Sequence, residues 1–92
     1  MPRGYTNGLR KLRQTIDCSQ REFAAILGVC NVNLNNWERS KYYPNARWRR
    51  LMMTRLQVTG PELAHMLDTP ADDYTPPAKL AQRATKLLEQ IH

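Results

Sequence analysis

The sequence predicts an all-α fold: a five-helix bundle built around a helix-turn-helix, with an amphipathic helix appended at the C-terminal end. Three observations predict it. The run SQREFAAILGVCNVNLNNWER, residues 19–39, reads as a capped helix, a glycine turn and a second helix. Apolar residues recur at helical spacing in segments before and after it. The composition, 41% apolar with only 4 Gly in 92 residues, suits a folded helical domain and not a disordered polyelectrolyte.

Residues 1–7 are polar, contain Pro2 and Gly4, and are expected to form an arm, read as a disordered basic tail ahead of the alternative in which Arg3 follows a groove or a phosphate backbone. The first helix is expected from Asn7 or Gly8 to Ile16. Leu9, Leu12 and Ile16 make its apolar stripe, and Arg10, Lys11 and Arg13 lie on or beside its exposed side. It ends at Asp17, whose short side chain tolerates a turn or left-handed conformation.

Ser19 is the N-cap of the second helix, and Glu22 three residues on supplies the reciprocal half of a capping box. Phe23, Ala24, Ile26 and Leu27 face inward, with Ala24 small enough to let two helices approach. Gly28 ends the helix in the left-handed conformation that a branched residue resists. The third helix should run from Cys30 or Asn31 to about Arg39, anchored by Leu34 and Trp37. Its outward side carries Asn31, Val32, Asn33, Asn35 and Asn36. Asparagine costs a helix roughly 0.5 kcal/mol relative to alanine, so this face is not composed for helix stability. Amides suit recognition: an Asn side chain donates to and accepts from adenine N7 and N6 together, and Val32 offers an apolar contact to a thymine methyl.

Ser40 to Asn45 form a loop broken by Pro44, with Tyr42 and Tyr43 either packed on the core edge or reaching a phosphate. Asn45 caps a fourth helix, Ala46 to about Gln57, that turns Trp48, Leu51, Met52 and Leu56 inward and Arg47, Arg49, Arg50 and Arg55 to one basic side. Thr59, Pro61 and Glu62 start a fifth helix, Pro61 to Leu67, closed by Leu63, Met66 and Leu67. Residues 1–67 are thus read as one domain. Residues 68–77, with three prolines and three acids, read as a stiff linker. Beyond it, residues 78–92 carry a helical stripe of Leu80, Ala84, Leu87, Leu88 and Ile91. A helix of that length is marginal alone, so the stripe must be covered. A twin chain is the preferred cover, ahead of docking on its own domain or on a different protein.

Charge separates the two parts. Residues 1–60 hold 11 Lys or Arg against 3 Asp or Glu, and residues 61–92 hold 3 against 5, within a net charge of +6. A basic surface around the helix-turn-helix points to a polyanion. Cys18 and Cys30 form no CxxC and have no histidine nearby to complete a zinc site, so both are read as small buried or half-buried thiols in a reducing cytosol, and neither a metal nor a cofactor is expected. His65 is isolated and read as structural or surface. No run approaches the length of a membrane-spanning helix and the N-terminus lacks a signal-peptide core, which predicts a cytoplasmic protein. No nucleophile and base pair, paired carboxylates or glycine-rich phosphate loop argues for an enzyme.

The run LRKLRQTIDCSQREFAAILGVCNVNLNNWERSKYYPNARWRRLM resembles the Xre/Cro family of helix-turn-helix DNA-binding domains, the lambda-repressor-like five-helix fold of phage repressors that is also found in antitoxins. The resemblance covers roughly residues 8 to 67 and rests on the combination of LRxLR, SQxxFAxxLGV and WE followed by an Arg- and Leu-rich helix. It implies that Asn31, Val32, Asn33, Asn35 and Asn36 face bases, with Asn31, Val32 and Asn36 foremost. It also implies that Gln20 holds a phosphate and braces the recognition helix, and that Arg13 pairs with Glu38. Ser19, Arg21, Arg39, Lys41, Tyr42 and Arg47 complete the expected phosphate contacts. Asp17 and Cys18 stand where the family commonly has Gly and Leu, and Ser40 where it often has Gly. The reading face lacks Arg, Lys and Gln, the usual guanine readers, so an A·T-leaning site is expected. The implied activity is that of a transcription regulator on double-stranded DNA in the nucleoid, a homodimeric repressor on an inverted repeat with recognition helices about 34 Å apart. The alternatives are an antitoxin that represses its own operon and binds a toxin through residues 78–91, and a protein-interaction module on the same fold.

Overall fold

Six helices are found among residues 6–91, the part of the chain that the computed structural model describes. They are α1 (Gly8–Thr15), α2 (Gln20–Leu27), α3 (Asn31–Glu38), α4 (Ala46–Leu56), α5 (Gly60–Asp68) and α6 (Ala78–Gln90), with a 3-10 turn at Ala71–Asp73. No strand occurs among these residues, and a single antiparallel bridge joins Asn7 to Pro70. The fold is a small all-α bundle. Arg3 lies outside the described residues, as does His92.

Local chemistry sets most of the boundaries. The Asn7 side chain accepts from the Leu9 amide at 3.1 Å and starts α1. In α2 the capping box is complete: Ser19 Oγ accepts from the Glu22 amide at 3.1 Å, and Glu22 Oε1 accepts from the Ser19 amide at 2.8 Å. Thr59 and Glu62 repeat the device at the start of α5, and those hydrogen bonds hold the Glu62 carboxyl below its ordinary value. Asn45 caps α4 by accepting from the Trp48 amide. Gly28, at φ 73°, closes α2 as its type requires, but three non-glycine residues also take left-handed backbone: Asp17 (φ 53°), Ser40 (φ 56°) and Gln57 (φ 56°).

The core is continuous across all six helices. Leu9 and Leu12 of α1, Phe23, Ile26 and Leu27 of α2, Leu34 of α3, Met52 and Leu56 of α4, and Leu63, Met66 and Leu67 of α5 are all fully buried. Each such side chain contributes roughly 1.5 to 3 kcal/mol on leaving water. α2 occupies the middle, packed on α3, α4 and α6, while α1 packs on α3 and α5. Trp48 and Leu51, expected inside, are only half-buried, because α4 turns its Met52 and Leu56 line to the centre.

Three expectations about the segments flanking the helix-turn-helix bundle are corrected. Residues 68–77 are not a free linker. Tyr74 and Ala71 are buried, the Gly8 amide donates to Thr69 O at 2.9 Å, and the Ala71 amide donates to Thr6 O at 2.8 Å. The physical reason is an aromatic anchor with a seat: a Cβ on Gly8 would lie 2.6 Å from Tyr74 Cγ, so the ring fits only because Gly8 has no side chain. Thr6 and Asn7 accordingly belong to the fold and not to an arm; Asn7 is 1% exposed. The C-terminal helix is covered in cis. α6 lies on α2 and α4 with Leu80, Ala84 and Leu87 buried, Leu88 half-buried and only Ile91 exposed. A twin chain is therefore not what covers this stripe, and the boundary drawn at 67 runs through one packed unit.

Candidate nucleic-acid interface

α3 carries its polar residues on one side and its attachments on the other. Leu34, Trp37 and Glu38 are buried, and the half-buried ring of Trp48 meets Trp37 at a centroid distance of 5.9 Å. Asn31 and Val32 are exposed, Val32 to 65%, while Asn33, Asn35 and Asn36 are half-exposed. Val32 is the one exposed apolar side chain of a helix that spends four positions on asparagine.

The helix has little support of its own. Its N-cap, Cys30, makes no side-chain capping bond and no acid stands in its first turn. Support comes from neighbours. Glu38, 1% exposed, receives Arg13 Nε at 2.9 Å on Oε2 and at 3.2 Å on Oε1, with Arg13 Nη2 at 3.1 Å on Oε1. This ion pair ties the end of α3 to α1, and both partners are hydrogen-bonded as a buried pair requires. Gln20, first residue of α2, donates from Nε2 to Asn35 Oδ1 at 3.2 Å and to Glu38 Oε1 at 3.4 Å. Asn7 closes the same end: its Nδ2 donates to Trp37 O at 2.6 Å and its amide donates to Glu38 O at 3.0 Å. The sequence marks Asn7 only as the end of an arm or the start of a helix. The missing signal was three-dimensional, since a cap residue has one spare amide group and nothing in the chain says where it points.

The loop after α3 leaves through Ser40, whose amide donates to Trp37 O while the Lys41 amide donates to Asn36 O at 2.9 Å. Neither tyrosine of the loop joins the core. Tyr42 is 61% exposed with Lys41 Nζ 5.8 Å from its ring centre, and exposed Tyr43 has the Arg49 guanidinium at 5.6 Å. Arg49 also donates to Pro44 O at 2.6 Å, which holds the loop against α4. A shallow depression of about 250 Å³ brings Asn33 and Asn36 of α3 together with Tyr42, Asn45 and Trp48. Tyr43, Arg49 and Asn45 thus belong to this surface with Tyr42; the sequence marks Tyr43 as packed or reaching a phosphate, Arg49 as part of a basic side and Asn45 as a helix cap.

Of the expected phosphate contacts, Ser19, Arg21, Arg39, Lys41, Tyr42 and Arg47 are all exposed, and Gln20 is half-exposed with its amide engaged on α3. Ser19 Oγ already accepts the Glu22 amide, leaving its hydroxyl proton for a partner. Arg47 rests over Trp48 at 6.0 Å. The cysteines separate: Cys18 is buried, its thiol pushed up to about 11 first by burial and then by the Glu22 carboxylate, whereas Cys30 is exposed, contrary to the expectation of two sheltered thiols. Both are free. Among the described residues no group of three or more His, Cys, Asp or Glu stands close enough to hold a metal, and no helix is long and apolar enough to cross a membrane. Comparison with protein-family models, with curated proteins and with solved structures returned no match for this chain.

Proposed function

We propose that this chain is a sequence-specific binder of double-stranded DNA that acts in the cytoplasm, on the nucleoid, as a transcriptional repressor. α2, the turn at Gly28 and α3 work as a helix-turn-helix, with α3 in a major groove. Asn31, Val32, Asn33 and Asn36 meet base edges, Asn35 faces the DNA beside them, and Arg21, Arg39, Lys41 and Arg47 meet the phosphates on either side. Occlusion of a promoter follows from occupying the groove and needs no catalytic group.

One observation carries the reading. α3 has weak end signals and poor helix formers on its outward face, yet it is held by a buried ion pair, two tryptophans and two side-chain amides from other segments. Such a helix is displayed by its neighbours, as a reading helix must be. α6 keeps its stripe on its own bundle, so the stripe is not offered as a docking face for a toxin or as the dimer contact.

Selection from random duplexes followed by titration by fluorescence anisotropy tests the reading. We expect one enriched, A·T-leaning motif and an affinity that falls with salt at a log–log slope of about −3 to −4, as four phosphate contacts give. Changing Asn31, Asn33 and Asn36 together to Ala should lower affinity for the motif at least about tenfold, one to two lost base contacts, while leaving weak general DNA binding in place. The stoichiometry of that complex reports whether two copies occupy an inverted repeat. No enriched motif, or an affinity indifferent to salt, would remove DNA as the ligand.

A further inference from the structure

The hydrogen bonds behind α3 determine which end of one of its amides faces outward. The chain of hydrogen bonds begins at Glu38. Its carboxylate, buried and paired with Arg13, has only acceptor atoms. Gln20 reaches Glu38 Oε1 at 3.4 Å, so the group it turns there is its NH2 and not its carbonyl. The second hydrogen of that NH2 meets Asn35 at 3.2 Å, so the Asn35 atom that receives it is Oδ1. Reversing Gln20 would set carbonyl oxygen against carboxylate; reversing Asn35 would set two NH2 groups face to face. Each reversal removes a hydrogen bond and adds a repulsion. Asn35 Nδ2 has no hydrogen bond among the described residues, and Asn35 is half-exposed.

We infer that Asn35 is a donor-only contact on the binding surface, with Gln20 and Glu38 as the positioning residues that set its polarity. This rests on the DNA-binding reading above and sharpens it. An Asn with both ends outward recognises the donor and acceptor of adenine N6 and N7 together. Asn35, with its oxygen turned back to α2, meets an acceptor alone: a phosphate oxygen, or a base acceptor such as thymine O4 or guanine O6. The buried ion pair thereby acts on ligand choice at a distance, through two amides and without touching the ligand.

Two measurements test this, and the first needs no DNA. In the free protein, hydrogen exchange of the assigned side-chain amides should find the Gln20 NH2 protected about tenfold over that of Asn35, as expected for one net hydrogen bond. Equal protection, or protection of Asn35 over Gln20, overturns the polarity whatever the protein binds. The second compares duplex selections by the natural chain, by Asn35→Ala and by Gln20→Met, which keeps the length of the side chain but releases Asn35. Asn35→Ala should weaken binding at least about twofold, the low end of a net hydrogen bond of about 0.5 to 1.5 kcal/mol. Relaxed preference at one position assigns the acceptor to a base, and uniform loss across sequences assigns it to a phosphate. For a base contact Gln20→Met should gain adenine at that position; for a phosphate contact it should leave the motif unchanged. An adenine requirement in the natural chain that Asn35→Ala abolishes, or no loss of affinity in Asn35→Ala, overturns the inference. If the exchange result holds and no duplex binds, it is the DNA reading that fails.

Discussion

α2 and α3 are each eight residues long and adjacent in the chain, yet they are stabilised in opposite ways. α2 carries its own instructions: a reciprocal capping box at one end, Gly28 in left-handed backbone at the other, and four buried apolar residues between. α3 begins on a cysteine that caps nothing and leaves through Ser40, which adopts a left-handed conformation at a cost of roughly 1 kcal/mol. It is held by Arg13, Gln20 and Asn7, from three other places in the chain. A helix whose stability comes from behind has its outward positions free to be chosen for something else.

The largest test of that contrast is Glu38→Gln. It leaves the Arg13 guanidinium beside a neutral group and should cost about 3 kcal/mol, read as a lower urea midpoint with an unchanged slope. A loss below about 1 kcal/mol, the size of an ordinary surface pair, would mean that α3 is not tethered in this way. Ser40→Gly should stabilise the protein by about 1 kcal/mol by removing the backbone penalty. It gives up only the 3.4 Å contact from Asn7 Nδ2, which keeps its shorter bond to Trp37 O. Exchanging the start signals gives the smallest effects and the clearest sign change: Ser19→Ala should cost about 1 kcal/mol, and Cys30→Ser, which supplies a cap where none exists, should gain about 0.5 kcal/mol. Thermal melts of the two variants moving in the same direction would break the contrast.

The helix ends were legible in the sequence because caps and glycine stops are local chemistry: Ser19 with Glu22, Thr59 with Glu62, Asn45 and Gly28 all act within a few residues of themselves. Asp17 and Ser40 add a subtler case. Neither is glycine, yet both adopt a positive φ, a conformation that no local sequence signal announces for an ordinary side chain. What could not be read was anything that depends on a distant seat. The prolines and acids of 68–77 read as a linker and Tyr74 carries no local sign of its burial, because the space for its ring is made by a missing side chain at Gly8. The stripe on α6 announced that it would be covered, but amphipathicity does not name the cover. At the candidate site the residue types on α3 were readable and the amide orientation was not, since it is set by Gln20 and Glu38 together.

Asn7 adds a consequence in time. Its amide and side chain hold the end of α3, while its neighbours Thr6 and Gly8 pair with Ala71 and Thr69. A chain emerging from the ribosome can form α1 to α3 early, but the first residues cannot be locked until those around 70 have been made. Closing a loop of that span costs chain entropy that a helix, built from local contacts, does not. Fastening of α3 through Asn7 is thereby deferred until the residues around 70 have been made, and a nascent fragment that stops short of Tyr74 would present α3 with its far end less firmly held.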